Sequence, residues 1–258
     1  MAVVTKRVGD VGVILLDKPQ SHHALSRQIV SAALDALASP EIRSARALVV
    51  SSTGPNFCAG ANVGDLLDGW MQESGSDTDP VRLFQTLAED PRPSVAAVEG
   101  AAVGGGFELM LSCDLAVAAE NAWFSLPELG LGVIPNTAIM RLQQMAGLRT
   151  LNEMMMTAHR LDANRAYTLG IVNRLCQPGH ALSTAIDVAQ SVASRVAPGA
   201  LAVAKRYAQS FATTDWKTVQ QSLADVPKEQ WQEGLGAFLE KRKPSFDAFW
   251  QTSPGNIR

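Results

Sequence analysis

Short apolar runs, separated by a segment of helical period, constrain the fold of this chain most strongly. Four runs are rich in β-branched and other apolar side chains, as buried strands are; they lie at residues 11–16, 45–51, 95–98 and 115–118. Between the first two runs, residues 26–37 repeat apolar side chains at helical spacing. Strands that alternate with helices in this way predict an α/β fold whose strands are buried and largely parallel.

The second half of the chain is predicted to be mainly helical. Helices are expected at residues 151–156, 163–169, 181–196 and 198–211. Pro198-Gly199 marks a boundary, so we expect a core domain over residues 1–197 and a helical region over residues 198–258. Large apolar side chains of that region should pack on the core or on another subunit; they are Phe211, Trp216, Trp231, Phe238, Phe246, Phe249 and Trp250. Residues 69–80 are rich in Gly, Ser and Asp, which is typical of a mobile surface loop.

Composition narrows the class of protein. No run reaches the roughly 18 consecutive apolar residues of a membrane span, and the N-terminus lacks the pattern of a signal peptide, so we expect a cytoplasmic protein without membrane insertion. A net charge of −3 without a basic stripe argues against nucleic acid as a partner. The three cysteines are widely spaced and the four histidines form no ligand cluster, so no metal site is predicted.

Glu108 and Glu128 are the candidates for acid–base chemistry. Glu108 follows three glycines and a phenylalanine and opens into an apolar stretch, and Glu128 follows Pro127 in a segment almost free of other charge. A carboxyl group among apolar neighbours has a raised pKa because its anion is poorly solvated. Two such groups facing one pocket could divide acid and base roles. The alternatives are a helix-dipole partner for Glu108 and a solvated loop residue for Glu128.

Two glycine-containing turns are candidates for holding a negatively charged oxygen. Residues 57–62 follow a predicted strand, and residues 104–106 precede a predicted helix. Small residues let a ligand approach the backbone, and free N–H groups there suit a developing oxyanion. The alternative is a tight connection that binds nothing. The sequence contains no dinucleotide fingerprint, no phosphate loop and no G-x-S-x-G nucleophile elbow.

Taken together, these segments resemble the crotonase, or enoyl-CoA hydratase/isomerase, family over nearly the whole chain. The motifs that carry the resemblance occur in the family's order. They are His-Ala-Leu-Ser at 23–26, Phe-Cys-Ala-Gly-Ala-Asn at 57–62, and the segments 99–108, 127–135, 170–173 and 233–244.

The resemblance implies a crotonase-like spiral of ββα units with a helical C-terminal region that forms trimers, often paired into hexamers. It implies that the backbone N–H groups of Ala61 and Gly105 form an oxyanion hole for the thioester carbonyl of an acyl-CoA. Glu108 and Glu128 match the two catalytic glutamates of hydratases: Glu108 would deprotonate a water that attacks C3, and Glu128 would protonate C2. Coenzyme A is then part of the substrate, and no separate cofactor is implied.

The resemblance also implies a path for the acyl-CoA. Residues expected along the CoA are Leu25, Ala59, Ala61 and Val63. Phe238 and Lys241 match positions at which the family's C-terminal region touches the nucleotide, although the basic run 241–243 is equally consistent with a solvated helix end. Side chains expected near the acyl group, which are also typical core or loop residues, are Leu66, Trp70, Met71, Leu126 and Leu131.

Three positions depart from the family pattern. His23 replaces an Asn, Asn62 replaces an Asp, and Asn136 stands where a glycine normally offers its N–H to the catalytic water. Asn136 retains that N–H as a water-positioning group, but its side chain reshapes the pocket.

Because both glutamates are retained, the leading hypothesis is reversible hydration of a 2-enoyl-CoA, as in fatty-acid β-oxidation. The alternatives are a double-bond isomerase and an acyl-CoA-binding homologue with little turnover; the acyl group is left open.

Overall fold

The computed structural model describes residues 1–70, 73, 75–211, 216–217 and 227–246 of the chain. The predictions for Met71, Phe249 and Trp250, and for the side chain of Phe211, lie outside these described residues.

The described residues fold around two sheets. The strands are β1 (Val3–Val8), β2 (Val11–Leu16), β3 (Ala47–Ser52), β4 (Ser94–Val98), β5 (Ala101–Val103), β6 (Leu115–Ala119), β7 (Trp123–Ser125), β8 (Leu161–Asp162) and β9 (Arg174–Cys176). The larger sheet has six strands in the order β1-β2-β3-β4-β6-β9. Only the β1–β2 pair in it is antiparallel. The smaller sheet has the order β5-β7-β8, and β5 and β7 are parallel.

Helices cover the larger sheet and make up most of the C-terminal half. They are α1 (Arg27–Ala38), α2 (Pro40–Arg43), α3 (Val63–Leu67), α4 (Pro80–Glu89), α5 (Gly105–Leu111), α6 (Asn136–Thr157), α7 (Ala163–Thr168), α8 (Ala181–Arg195), α9 (Pro198–Phe211) and α10 (Lys228–Leu239). Short 3-10 helices span Pro19–Ser21 and Glu128–Leu131. Helix α6 is interrupted at Gly147, whose φ is +81°.

The central strands are buried on both faces, as the apolar runs predict. Side chains of β2 and β3 alternate between two clusters because successive residues of a strand point to opposite faces. Val13 and Val49 pack against Ala185 of α8 on one face. Ile14 and Leu48 point into the main core on the other face. The predicted α/β class with a largely parallel sheet is therefore confirmed.

The interpretation of residues 69–80 as a mobile surface loop is wrong for Trp70 and Asp79, which are buried, whereas Gly75 and Asp77 are exposed as expected. Trp70 is 2% exposed, and its Nε1 donates to Thr78 O at 2.7 Å. Asp79 is buried and caps α4 by accepting from Val81 N at 2.8 Å. The polar composition did not predict this burial, because the polar groups form hydrogen bonds with one another and with the backbone rather than with solvent.

Helix α10 folds back onto the 3-10 helix Glu128–Leu131. Trp231 and Leu235 of α10 are buried with Val133 in a small apolar cluster. The two backbones are in close contact, because a methyl group on Gly234 would lie 2.2 Å from the Leu131 carbonyl. The C-terminal region thus contacts the segment that carries Glu128.

No helix within the described residues is both long enough and apolar enough to cross a membrane. Helix α9 begins at Pro198; the division into domains at that residue stays a prediction.

Candidate active site

A cavity of about 240 Å³ brings both candidate glutamates and both glycine turns together. Its walls come from the loop around Gly60, from helices α3 and α4, from the starts of α5 and α6, and from the 3-10 helix at Glu128. Most of the lining is apolar, and Glu108 and Glu128 are the two ionisable residues among those that line it. Such a pocket, with few convergent polar groups, is where a ligand or substrate is expected.

Glu108 is buried but well hydrogen-bonded. It lies in the first turn of α5, and its Oε1 accepts from Thr137 N at 2.8 Å and from Ala138 N at 2.9 Å. These are free amides at the start of α6, where the helix dipole also favours negative charge. Burial raises the pKa of Glu108 to about 7, although the two N–H donors act in the opposite direction. The carboxyl group is thus poised to change protonation state near neutral pH.

Glu128 is equally buried and has no such donors. Neither of its carboxyl oxygens has a hydrogen-bond partner among the described residues. Burial, and next the charge of Glu108, raise the pKa of Glu128 well above its ordinary value. Burial without a partner favours the neutral acid, so Glu128 holds a proton where Glu108 gives one up.

Gly104 lets Glu128 reach the cavity. Its φ of +52° lies in the region that side chains rarely adopt, and a methyl group there would lie 2.7 Å from Glu128 Oε1. Gly104, which is expected at a tight turn, therefore also makes room for a carboxyl group.

The backbone amides of Ala61 and Gly105 belong to two glycine turns that lie against each other. A methyl group on Gly105 would lie 3.6 Å from Ala61 N, and one on Gly60 would lie 3.6 Å from Gly105 N. Neither Ala61 N nor Gly105 N donates to another backbone group in the described chain. Gly60 permits the approach, because its φ is +97° and a methyl group there would lie 2.9 Å from Val103 O. Two backbone N–H donors without a backbone partner therefore lie close together at the glycine turns.

Asn136 is buried at the first residue of α6 and lines the cavity with both glutamates. Its Oδ1 accepts from Thr137 N at 2.8 Å, the same amide that donates to Glu108. The carboxamide therefore shares a donor with the Glu108 carboxylate.

The remaining predicted contact residues divide into two groups. Leu25, Ala59, Val63, Leu66, Leu131 and Phe238 line the cavity. Trp70 and Leu126 do not: both are buried in the main core. Trp70 faces inward because its indole N–H bonds to the backbone of its own segment. Lys241 is exposed just beyond α10 and lies outside the cavity wall.

The other two departures have local explanations. The backbone of His23 has a φ of +57°, a conformation that Asn adopts more readily than most residues. Its Nδ1 accepts from Lys18 N at 3.1 Å, and burial lowers the pKa of the ring. Asn62 caps α3 by accepting from Asp65 N at 3.0 Å, as an Asp would.

Several lining residues have no counterpart among the sequence predictions. Pro80, Val81 and Phe84 of α4 form one wall, and Val133 and Ile134 form another. Asp79-Pro80 followed by apolar residues at helical spacing was the available signal for α4, since Asp is a favoured cap and Pro a favoured first residue. Within the described residues, no three His, Cys, Asp or Glu side chains cluster as metal ligands do.

Known proteins resemble this chain over most of its length. A family model described as enoyl-CoA hydratase/isomerase matches residues 6–249. A probable enoyl-CoA hydratase 2, mitochondrial, of Arabidopsis thaliana is 33% identical over 250 residues, which cover 92% of this chain and 82% of that protein. Methylmalonyl-CoA decarboxylase of Escherichia coli (strain K12) is 32% identical over 251 residues, which cover 93% and 95%. The crystal structure of an enoyl-CoA hydratase/isomerase from Pseudoalteromonas atlantica T6c has a TM-score of 0.83 at 26% identity and covers 95% of this chain and 100% of that one.

Proposed function

The chain belongs to the enoyl-CoA hydratase/isomerase family, and on that basis we propose that it is an enoyl-CoA hydratase that adds water reversibly across the 2,3 double bond of a 2-enoyl-CoA. The crotonase-like α/β fold expected from the motifs is that of its structural relatives. The observation that carries the proposal is the pair of buried glutamates beside two unpaired backbone amides in one cavity.

The amides of Ala61 and Gly105 bind the thioester carbonyl oxygen. Attack at C3 moves the electrons of the double bond toward that oxygen and gives an enolate. Each N–H donor aimed at such a charge stabilises the transition state by about 3 kcal/mol. The donors are preformed, because the backbones of the two glycine turns already lie against each other.

Glu108 acts as the base and Glu128 as the acid. Glu108 removes a proton from water while the water oxygen bonds to C3, and Glu128 gives its proton to C2 as the carbonyl re-forms. The unequal surroundings support this division, because N–H donors stabilise the anion of Glu108 and burial without a partner keeps Glu128 protonated. Exchange of protons with solvent restores the starting state, and dehydration uses the same groups in reverse.

Asn136 orients the attacking water. Asn136 lines the cavity beside both glutamates, and the next two backbone amides of α6 donate hydrogen bonds to Glu108. This position supports the role.

The acyl-CoA lies along the lining residues Leu25, Ala59, Val63 and Phe238, and Lys241 meets the nucleotide outside the cavity. The apolar lining suits an uncharged hydrocarbon acyl group.

We further propose that the chain assembles as a homotrimer or a dimer of trimers, and that it works in the cytoplasm in fatty-acid β-oxidation.

The test is an assay with crotonyl-CoA and longer straight-chain 2-enoyl-CoA thioesters, followed by loss of absorbance of the conjugated thioester. We expect turnover by the parent protein and a loss of kcat of about 100-fold or more in both Glu108→Gln and Glu128→Gln. Unchanged turnover in both variants contradicts the assignment.

A further inference from the structure

Arg27 joins three walls of the cavity without lining it. It is the first residue of α1, two positions after the cavity residue Leu25. Its backbone N donates to Asp65 Oδ2 at 2.8 Å, and Asp65 lies in α3, whose Val63 and Leu66 line the cavity. The start of α1 is thereby tied to a second wall.

The guanidinium of Arg27 extends the connection to the segment before α4. Its Nε and Nη2 donate to Glu73 Oε1 at 2.8 and 2.7 Å, and its Nη2 also reaches Asp68 O at 3.3 Å. Glu73 Oε2 accepts from Thr78 Oγ1 at 2.6 Å. Thr78 immediately precedes the Asp79 cap of α4, and α4 supplies the third wall.

Arg27 lies between two carboxylates that belong to different parts of the cavity wall. Asp65 and Glu73 both form ion pairs with it, and its side chain is 28% exposed. The hydrogen bond from Arg27 is also the largest influence lowering the pKa of Glu73. Without the guanidinium, two ionised carboxylates would lie close together with no cation between them, and their repulsion would separate α3 from the segment before α4.

We propose that Arg27 is a positioning residue that sets the acyl-chain specificity of this site by holding the α3 and α4 walls at a fixed separation. The side chains it positions are Leu66, Val81 and Phe84, which are apolar and suit the alkyl tail rather than the polar CoA. The inference rests on the proposed function only in taking an acyl-CoA as the ligand. Binding of long tails depends on these walls, whereas binding of short acyl groups depends mainly on the backbone contacts at Ala61 and Gly105.

The test is calorimetric binding of butyryl-CoA and octanoyl-CoA, which are saturated and need no turnover, to the parent protein and to Arg27→Gln. We expect the Kd for octanoyl-CoA to rise about fivefold or more, as for the loss of one or two methylene contacts, while the Kd for butyryl-CoA stays within about twofold. The matched control is Arg82→Gln, because Arg82 pairs with Asp77 of the same segment on an exposed side and does not join the walls.

Two further variants separate positioning from folding. Glu73→Gln replaces the ion pair with a weaker neutral hydrogen bond and leaves no extra negative charge. It should therefore weaken octanoyl-CoA binding in the same selective way, but by less than Arg27→Gln. Arg27→Lys keeps the positive charge but lacks the paired N–H donors of the guanidinium, so its effect should be smaller than that of Arg27→Gln. Equal weakening of both ligands, or an unchanged octanoyl-CoA Kd in Arg27→Gln and Glu73→Gln, contradicts the inference alone. Failure of the parent protein to bind either acyl-CoA contradicts the proposed function as well.

Discussion

Glu108 and Glu128 are both buried carboxyl groups, but their surroundings stabilise different protonation states. Glu108 meets two amides at a helix start, whereas Glu128 meets no donor in the described part of the chain. Above about pH 7, the value to which burial raises the pKa of Glu108, the pair therefore holds one proton, on Glu128. An acid and a base are then present together at the pH where both are needed.

The rate of hydration should follow a bell-shaped pH profile. On the acid side, kcat/KM should rise through a midpoint near pH 7, the value to which burial raises the pKa of Glu108. At higher pH it should fall as Glu128 loses its proton. The measurement is kcat/KM for crotonyl-CoA between pH 5 and about 10. An acid-side midpoint near 4.5, the ordinary value for a glutamate, contradicts this environment for Glu108.

Replacing Glu128 by Gln should stabilise the fold at high pH. The folded protein holds the Glu128 proton more tightly than the unfolded chain, whose ordinary value is 4.5. The stabilising contribution of Glu128 is thus complete below that pH and is lost as pH rises through the folded pKa. Gln cannot ionise and avoids this loss.

We expect Glu128→Gln to gain about 1 kcal/mol or more relative to the parent protein between pH 5 and pH 8, or about 2–4 °C in Tm. Thermal unfolding at the two pH values measures it. Glu153→Gln, at an exposed position of α6, is the control for the same change at the surface. A Tm difference that does not grow with pH would count against a proton held by Glu128.

At the scale of elements, we expect the docking of α10 to fix the position of Glu128. Gly234 and Gly132 let the helix backbone touch the 3-10 helix Glu128–Leu131: methyl groups on them would lie 2.2 Å from Leu131 O and 2.4 Å from Gln230 O. Such distances leave no room for a side chain, so any substitution must displace one backbone from the other.

Gly234→Ala should therefore reduce kcat about tenfold or more and lower stability by about 1–3 kcal/mol. Gly236→Ala in the same helix is the matched control, because a methyl group there meets nothing within 4 Å. Helix propensity should make that variant neutral or slightly more stable. Activity assays and thermal unfolding of both variants measure the effect. Equal kcat in both would show that α10 does not position Glu128.

The sequence predicts helices and strands best where the apolar pattern is continuous and ends at turn residues. The strand at 11–16 and the helix at 198–211 match β2 and α9 in full, because their apolar patterns are continuous and end at turn residues. The strands β5 and β7 were missed, since three residues are too few for a period to show. The helix α4 was missed because a polar, partly buried segment precedes it.

The site was predictable in its chemistry but not in its geometry. The apolar setting of both glutamates predicts raised pKa values, which the structure gives them. That they meet in one cavity depends on long-range contacts, such as the bond from Thr137 N to Glu108 and the room left by Gly104. The spacing of residues along the chain does not predict these long-range contacts. Only the family resemblance suggested that the two glutamates share one site. Trp70 was expected near the acyl group, but its side chain packs into the core and does not line the cavity.

For the molecule as a whole, exposed apolar side chains on α9 and α6 agree with the proposed assembly. Val203 on α9 is 46% exposed, and Leu148 and Met156 on α6 are 53% and 66% exposed. In the proposed trimer these side chains would be covered by a neighbouring subunit. Light scattering at micromolar concentration should therefore give three or six times the 27.5 kDa of one chain. A mass of one chain under those conditions contradicts the proposed trimer.

The most direct test of the central claim, that the two glutamates add water to an enoyl-CoA, follows solvent oxygen into product. Crotonyl-CoA is incubated with the parent protein in ¹⁸O-labelled water, and the thioesters are analysed by mass spectrometry. We expect 3-hydroxybutyryl-CoA with one labelled oxygen at C3, and loss of that product in both Glu108→Gln and Glu128→Gln. A product with a shifted double bond and no label, or unchanged crotonyl-CoA bound to the parent protein, would contradict it.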